Sequence, residues 1–297
     1  MDRLVLTGAL GTLGRWTVEE LADDYEILGV DVHEPRDGSP YDTVEYLGAD
    51  LTEHGAAWEI LLDVEPDAVV HLAAIPGAGH RTETETFLDN VASTYNVLTA
   101  AGTAGASVVW SSSEATYGVT FRDEPRPLEF LPVDETHPQR PEDGYGMSKV
   151  VGELIAERTM RRYGVDVTSI QPSWIQVPGA YETPTIRDSF DLDSPTPSGS
   201  LWSYVDVRDV ASMVRAALET EVGGHEAYLA VAEDNYIDES TAAAIDAAWG
   251  DLAPECDLDG DAAAFSTANA RNDLGWEPRH SWREAETASV SGPQPGP

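Results

Sequence analysis

Short β-branched runs alternate with longer helical patterns over the first two-thirds of the chain, and this alternation limits the fold most tightly. Leu4–Thr7, Ile27–Asp31, Val44–Leu47, Ala68–Leu72, Ser107–Ser111 and Val167–Gln171 read as strands. Stretches near 13–23, 54–63, 85–101 and 145–163 read as helices. A strand that hands over to a helix before the next strand builds a crossover, and crossovers give a parallel sheet covered on both faces. The expected fold class is α/β: a doubly wound parallel sheet with a smaller C-terminal substrate-binding lobe.

The pattern breaks twice. Residues 118–144 are rich in Pro, Asp and Glu and lie between a strand end and a helix. A long loop inside a compact domain is usually functional, so a wall over the substrate and an acidic surface insertion are the two readings. Residues 172–200 are Pro/Ser/Thr-rich. The chain then returns through Tyr204–Val207, a helix near 208–220 and a strand near 227–231. The expected division is a sheet domain of residues 1–172 plus 202–232 and a lobe of 173–201 plus 233–290, with 291–297 a disordered tail.

Composition narrows the function. Acidic residues outnumber basic ones 54 to 17, for a formal charge of -37. Such self-repulsion is relieved by molar salt, so the chain reads as a halophile protein of the cytoplasm with a solvated acidic surface. Nucleic acid is not an expected ligand, since phosphate backbones need Lys/Arg clusters. Cys256 is the sole cysteine, which excludes an intrachain disulfide, and the seven histidines show no short paired spacing for a metal. No apolar run approaches the ~20 residues needed to span a membrane. His71, at a strand end, reads as a satisfied strand residue.

Thr7-Gly8-Ala9-Leu10-Gly11-Thr12-Leu13-Gly14 follows the first strand and opens the first helix. Glycines there let backbone approach a pyrophosphate, and the helix N-terminus supplies N–H groups and a favourable dipole. The spacing is Gly-x-x-Gly-x-x-Gly, which by itself also suits a plain tight turn. Asp31 ends the second strand, 23 residues after Gly8, where a carboxylate accepts both ribose hydroxyls and repels a 2′-phosphate. That favours NAD, while the nearby Arg36 keeps NADP open. One more acid in a very acidic chain is the plain alternative for Asp31.

Lys149 is the only lysine of the 297 residues, and it follows Tyr145 by one helical turn. With 11 tyrosines in 297 positions, chance places a lone lysine there about 4% of the time. A phenol titrates near 10, too high for an efficient base at neutral pH, and a neighbouring ammonium lowers that value. Ser111-Ser112-Ser113 ends a strand, where one hydroxyl can hold the substrate oxygen and the others satisfy the strand end.

These residues resemble a known family. The three glycines, Asp31, Asp50-Leu51, His71-Leu72-Ala73-Ala74, Ser111 to Gly118 and Tyr145-Gly-Met-Ser-Lys149 are similar to the extended short-chain dehydrogenases/reductases, the NAD-dependent epimerase/dehydratase family. The resemblance runs from about residue 3 to 284 and closes on Leu274-Gly275-Trp276-Glu277-Pro278. It implies a Rossmann-type fold, a homodimer, NAD as cofactor and a sugar as substrate. It implies Ser113, Tyr145 and Lys149 as catalytic groups. Gly8, Gly11, Thr12, Leu13, Gly14, Asp31, Asp50, Leu51, Leu72, Ala73, Ala74, Ser111, Tyr145, Lys149, Pro172 and Ser173 would contact the cofactor, the lysine through the nicotinamide ribose. Asn90 matches an asparagine that is usually structural.

Departures from the family pattern guide the substrate. Dehydratases carry two acids after the catalytic hydroxyl, and here Glu114 is followed by Ala115, which disfavours dehydration. Trp174 and Trp202 stand where nucleotide-sugar enzymes carry a gripping Asn and Arg. Either indole can stack on substrate or pack a core. Arg187 is the one anchor for a substrate anion, with a surface arginine as its alternative. Ser112, Ser113, Glu114, Trp174, Arg187 and Trp202 are therefore the substrate-side residues. The first expectation is an NAD-dependent dehydrogenase of a free sugar or sugar acid. A UDP-sugar 4-epimerase with retained NAD is the second, and a non-catalytic dinucleotide sensor is the third.

Overall fold

The computed structural model describes residues 2–35, 39, 41–77, 79–120, 128–250 and 253–293. Arg36 and residues 294–297 of the expected tail lie outside the described residues.

Seven strands form one all-parallel sheet. They are β1 (Asp2–Thr7), β2 (Tyr25–Asp31), β3 (Val44–Gly48), β4 (Ala68–His71), β5 (Ser107–Ser111), β7 (Val167–Pro172) and β10 (His225–Ala230), with β6 (Phe130–Leu131), β8 (Ile175–Gln176), β9 (Val205–Asp206) and β11 (Glu255–Cys256) outside the sheet. The spatial order is β3-β2-β1-β4-β5-β7-β10. Runs such as Leu4-Val5-Leu6 are buried at every position, because helices cover both faces.

On one face lie α1 (Thr12–Leu21) and α6 (Val207–Leu218); on the other lie α2 (Ala56–Val64), α3 (Glu83–Ala104) and α4 (Gly144–Tyr163). Local signals set their ends. Thr82 and Glu85 form a capping box at α3, and the Asp143 carboxylate accepts from the Gly146 N–H at 2.8 Å to start α4. Strand order reverses between β1 and β4, so a crevice opens beyond their C-terminal ends.

A second apolar core gathers α7 (Thr241–Trp249) and α8 (Trp282–Ala285) around Trp202, Tyr204 and Tyr236, and α5 (Thr183–Arg187) touches it where Arg187 lies over Trp282. The long segment after Gly118 is more than a surface flap. Leu128, Leu131 and Val133 are buried in this second core, β6 pairs with β11, and Val133 bridges Phe265; residues 121–127 lie outside the described residues. Conversely, Ala270, Leu274 and Trp276 rejoin the core beside α6. The Trp276 indole N–H reaches the Asp209 carbonyl and the Ser212 hydroxyl, each at 3.0 Å. Segments distant in sequence therefore contribute to both apolar cores. No helix among the described residues is long and apolar enough to cross a membrane.

Candidate active site

The crevice is a cleft of about 810 Å³ at the C-terminal edge of the sheet. Its first wall is the turn after β1. Gly8 has φ +71°, and a Cβ there would lie 2.7 Å from the Ala73 nitrogen. A Cβ on Gly14 would lie 2.0 Å from the Gly8 carbonyl oxygen. Side chains are thus excluded where turn, strand end and helix meet. No acid lies in the first turn of α1, and no side chain caps it, so its N–H groups face the cleft uncompensated. This cradle fits the pyrophosphate of a dinucleotide. Gly11, Thr12, Leu13, Leu72, Ala74, Ser111, Pro172 and Ser173 also line the cleft.

Four of the expected cofactor contacts lie outside that lining. Asp31 stands beside the glycine turn, its carboxylate accepting from the Leu10 N–H at 3.0 Å and the Val32 N–H at 2.8 Å. Asp50 accepts from the N–H and hydroxyl of Thr52, which hold it below the usual carboxylate range. Leu51 and Ala73 pack in the core behind α2 and α3 instead.

Ser113, Tyr145 and Lys149 meet at the cleft floor. The Ser113 hydroxyl hydrogen-bonds the Tyr145 phenol and also accepts from the Ala115 N–H at 3.1 Å. Lys149 is buried, donates to the Ser111 carbonyl at 2.6 Å, and sits 5.5 Å from the Tyr145 ring centre. The expected lowering of the phenol does not emerge. Burial pushes Tyr145 up to about 12, against the pull of Ser113. Burial likewise brings Lys149 down to about 8, while Glu153 pulls it back up. Desolvation sets the direction because the phenol is out of water, and the one offset to it is the Ser113 hydroxyl.

Glu153 went unread in the sequence, although it lies one turn past Lys149. It accepts from the Ser112 hydroxyl at 2.6 Å and the Gln171 amide at 2.7 Å, and Gln171 in turn accepts from the Tyr117 hydroxyl at 2.6 Å. His71 is held between Thr7 (2.7 Å) and Thr94 (3.4 Å), and burial takes it down to about 3. Asn90 braces the loop at Ile75 and reaches Ser148 at 3.3 Å, a structural role.

The substrate side departs from expectation at two residues. Trp202 is fully buried between Phe190 and Trp249, at 5.6 and 5.8 Å between ring centres, so it packs the lobe and cannot stack on a ligand. Arg187 binds both oxygens of Glu286 at 2.9 and 3.0 Å and lies 3.8 Å over the Trp282 ring. A largely buried guanidinium needs such a partner, which removes it as a substrate anchor. Ser112, Glu114 and Trp174 do line the cleft, with Trp174 edge-on to Tyr236 at 5.8 Å. Sequence reading missed Ile175, Glu182, Ser198 and Tyr236, which the 172–200 segment and second lobe bring to the same wall.

A peptide cradle for pyrophosphate and a buried phenol that open into one cleft define the class, a dinucleotide-binding α/β protein. The chain belongs to the NAD dependent epimerase/dehydratase family, which it matches over residues 4–230, and NAD is its cofactor. Among curated relatives, an uncharacterized epimerase/dehydratase of Staphylococcus aureus is 29% identical over 58% of this chain; the chain spans about half (52%) of that relative's length. The L-arabinose 1-dehydrogenase (NAD(P)(+)) of Haloferax volcanii is 32% identical over 59% of this chain and 68% of its own. A solved UDP-galactose 4-epimerase is 25% identical, covers 96% of both chains and superposes with a TM-score of 0.68.

Proposed function

We propose that this protein interconverts a sugar hydroxyl and its carbonyl at bound NAD, using Ser113, Tyr145 and Lys149. The observation that carries the reading is the meeting of those three side chains in the cleft that the glycine turn opens. Bound NAD supplies the hydride acceptor. Gly8, Gly11, Gly14 and the α1 N-terminus would hold its pyrophosphate, and Asp31 its ribose. The Ser113 hydroxyl steadies the substrate oxygen. The Tyr145 oxygen takes the hydroxyl proton in oxidation and returns it in reduction. The Lys149 ammonium stabilises the phenolate through the low-dielectric site.

Two reactions share this chemistry. Epimerisation of a UDP-sugar is favoured by the likeness to 4-epimerases along nearly the whole chain. Net oxidation of a free sugar, the first expectation from sequence, is favoured by the cleft wall and by the Haloferax relative. Among the described lining residues there is no arginine, and Glu182 adds a carboxylate. A diphosphate has no guanidinium to meet there. Incubation with NAD⁺ and panels of free aldoses, uronates and UDP-sugars, in molar KCl, separates them. Net NADH marks a dehydrogenase, and an epimer without net NADH marks a 4-epimerase. Neither product from any sugar would end the proposal.

The pH profile follows from the two shifts. Below about 12 the phenolate fraction of Tyr145 grows with pH, and above about 8 the Lys149 ammonium is lost. The product of the two rises about tenfold per pH unit up to pH 8 and then levels. The kcat for oxidation should trace that shape, and a kcat that falls from pH 6 to 8 would refute it. A homodimer through the outer face of α3 and α4 is also part of the proposal. Leu88 and Tyr95, and Met147 and Leu154, expose apolar surface one heptad apart on each helix. Light scattering should give twice the chain mass of 32.0 kDa, and Leu154→Glu should halve it.

A further inference from the structure

Glu114 begins a tight turn, Glu114–Tyr117, directly after the catalytic Ser113. It lines the cleft yet is only 4% exposed, and its Oε2 has no hydrogen-bond partner. Facing it is Ser173, 5% exposed just past β7, near enough to pull the Glu114 carboxyl down, although its Oγ completes no hydrogen bond of good geometry with Glu114 or any other group. The Ser173 N–H is spent on the Ala230 carbonyl at 3.0 Å, so the residue cannot swing away. Two adjacent buried polar groups left open in a cleft wall destabilise the fold unless something fills them. The ionisable groups that face Glu114 are Tyr145 from α4 and Tyr236 from the second lobe, and Glu182 lies farther along the wall. No cation pairs with Glu114 among the described residues. Burial lifts its carboxyl to about 8, against a downward pull from Ser173, so near neutral pH it carries its proton. A protonated carboxyl offers one O–H donor and open acceptor sites, and a serine hydroxyl offers the same pair of roles. Sugar hydroxyls both give and take hydrogen bonds, so a single hydroxyl can use the donor and the acceptor of this pair together.

We propose that Glu114 and Ser173 form a hydroxyl-binding subsite, through which the cleft selects an uncharged polyhydroxy sugar over sugar acids and sugar diphosphates. This rests on the sugar-oxidoreductase reading above and narrows its substrate class. Glu114 sits one residue from Ser113, so the hydroxyl it holds neighbours the carbon being oxidised. A substrate anion would face Glu182 and find no guanidinium among the described lining residues.

The test compares the parent with Glu114→Ala, Glu114→Gln and Ser173→Ala across neutral aldoses, the matching uronates and UDP-sugars. Far-UV circular dichroism and the melting temperature confirm that each variant is folded, and NAD binding is titrated separately because Ser173 also lines the cofactor cleft. The parent should use a neutral aldose with kcat/KM at least about tenfold above the matching uronate. Glu114→Ala should raise KM for the aldose roughly tenfold with a smaller change in kcat. Glu114→Gln, which restores a donor, should recover most of that loss. The parent's KM should rise above about pH 8 as Glu114 ionises, and in Glu114→Gln it should not. If Glu114→Ala does not fold, the pH profile of Glu114→Gln and the KM of Ser173→Ala carry the test. Preference for a uronate or a UDP-sugar, or an unchanged KM in Glu114→Ala, overturns this proposal while leaving the oxidoreductase reading in place. Absence of any oxidised or epimerised sugar overturns both.

Discussion

Lys149→Ala should bind NAD and stay folded, yet turn over at least about a hundredfold more slowly than the parent. The loss follows from where the charge sits. Tyr145 is buried, and burial alone pushes its phenol up to about 12. At pH 7 the phenolate needed to accept a proton is then scarce, and the nearest positive charge that can stabilise it is on Lys149. Removing the ammonium leaves the same burial with only the Ser113 hydroxyl to offset it. Tyr145→Phe should lose as much, because it removes the proton carrier itself and keeps the ring. The two losses should not add, since both act on one proton transfer. Steady-state rates of the single and double variants check this. A Lys149→Ala enzyme within tenfold of the parent would sink the mechanism.

The second large effect belongs to the cradle. Gly14→Ala should weaken NAD binding by roughly ten- to a hundredfold and lower the melting temperature, through an overpacking strain of about 1–3 kcal/mol. The new methyl would stand 2.0 Å from the Gly8 carbonyl and 2.9 Å from the Ala9 Cα. Both are backbone atoms, so no rotamer relieves the clash and the turn itself must open. Gly224→Ala is the matched control, for its Cβ meets nothing within 4 Å. Titration of both variants with NAD, followed by fluorescence, decides it. Equal affinity in Gly14→Ala and the parent would remove the pyrophosphate from this turn.

What sequence could reveal was set by range. The strand runs, the glycine spacing and the Tyr145–Lys149 turn are local patterns, and local patterns fix which atoms share a face or a bend. The β1 turn and the α4 floor were therefore legible before any coordinates. The fate of Trp202 was not, since its partners Phe190 and Trp249 come from separate stretches of chain. Nor was that of Arg187, whose carboxylate partner Glu286 lies 99 residues away. Glu114 looked like half of a missing acid pair, and only the packing of β7 beside it reveals an orphaned carboxyl facing Ser173. The direction of the Tyr145 shift was misjudged for a related reason. Spacing reports a neighbouring charge but not how much water the fold has stripped away.

The solitary lysine has a practical consequence. It is the only side-chain amine in the molecule, and the fold places it at the bottom of the cofactor cleft. Its lowered value, about 8, leaves a sizeable share of free amine in mildly alkaline buffer. Small amine-directed labels such as acetylating agents or aldehydes with hydride therefore have a single side-chain target. Dinucleotide in place should shield it, so the extent of labelling at Lys149, read by mass spectrometry, becomes a gauge of cofactor occupancy written into the chain's own covalent chemistry.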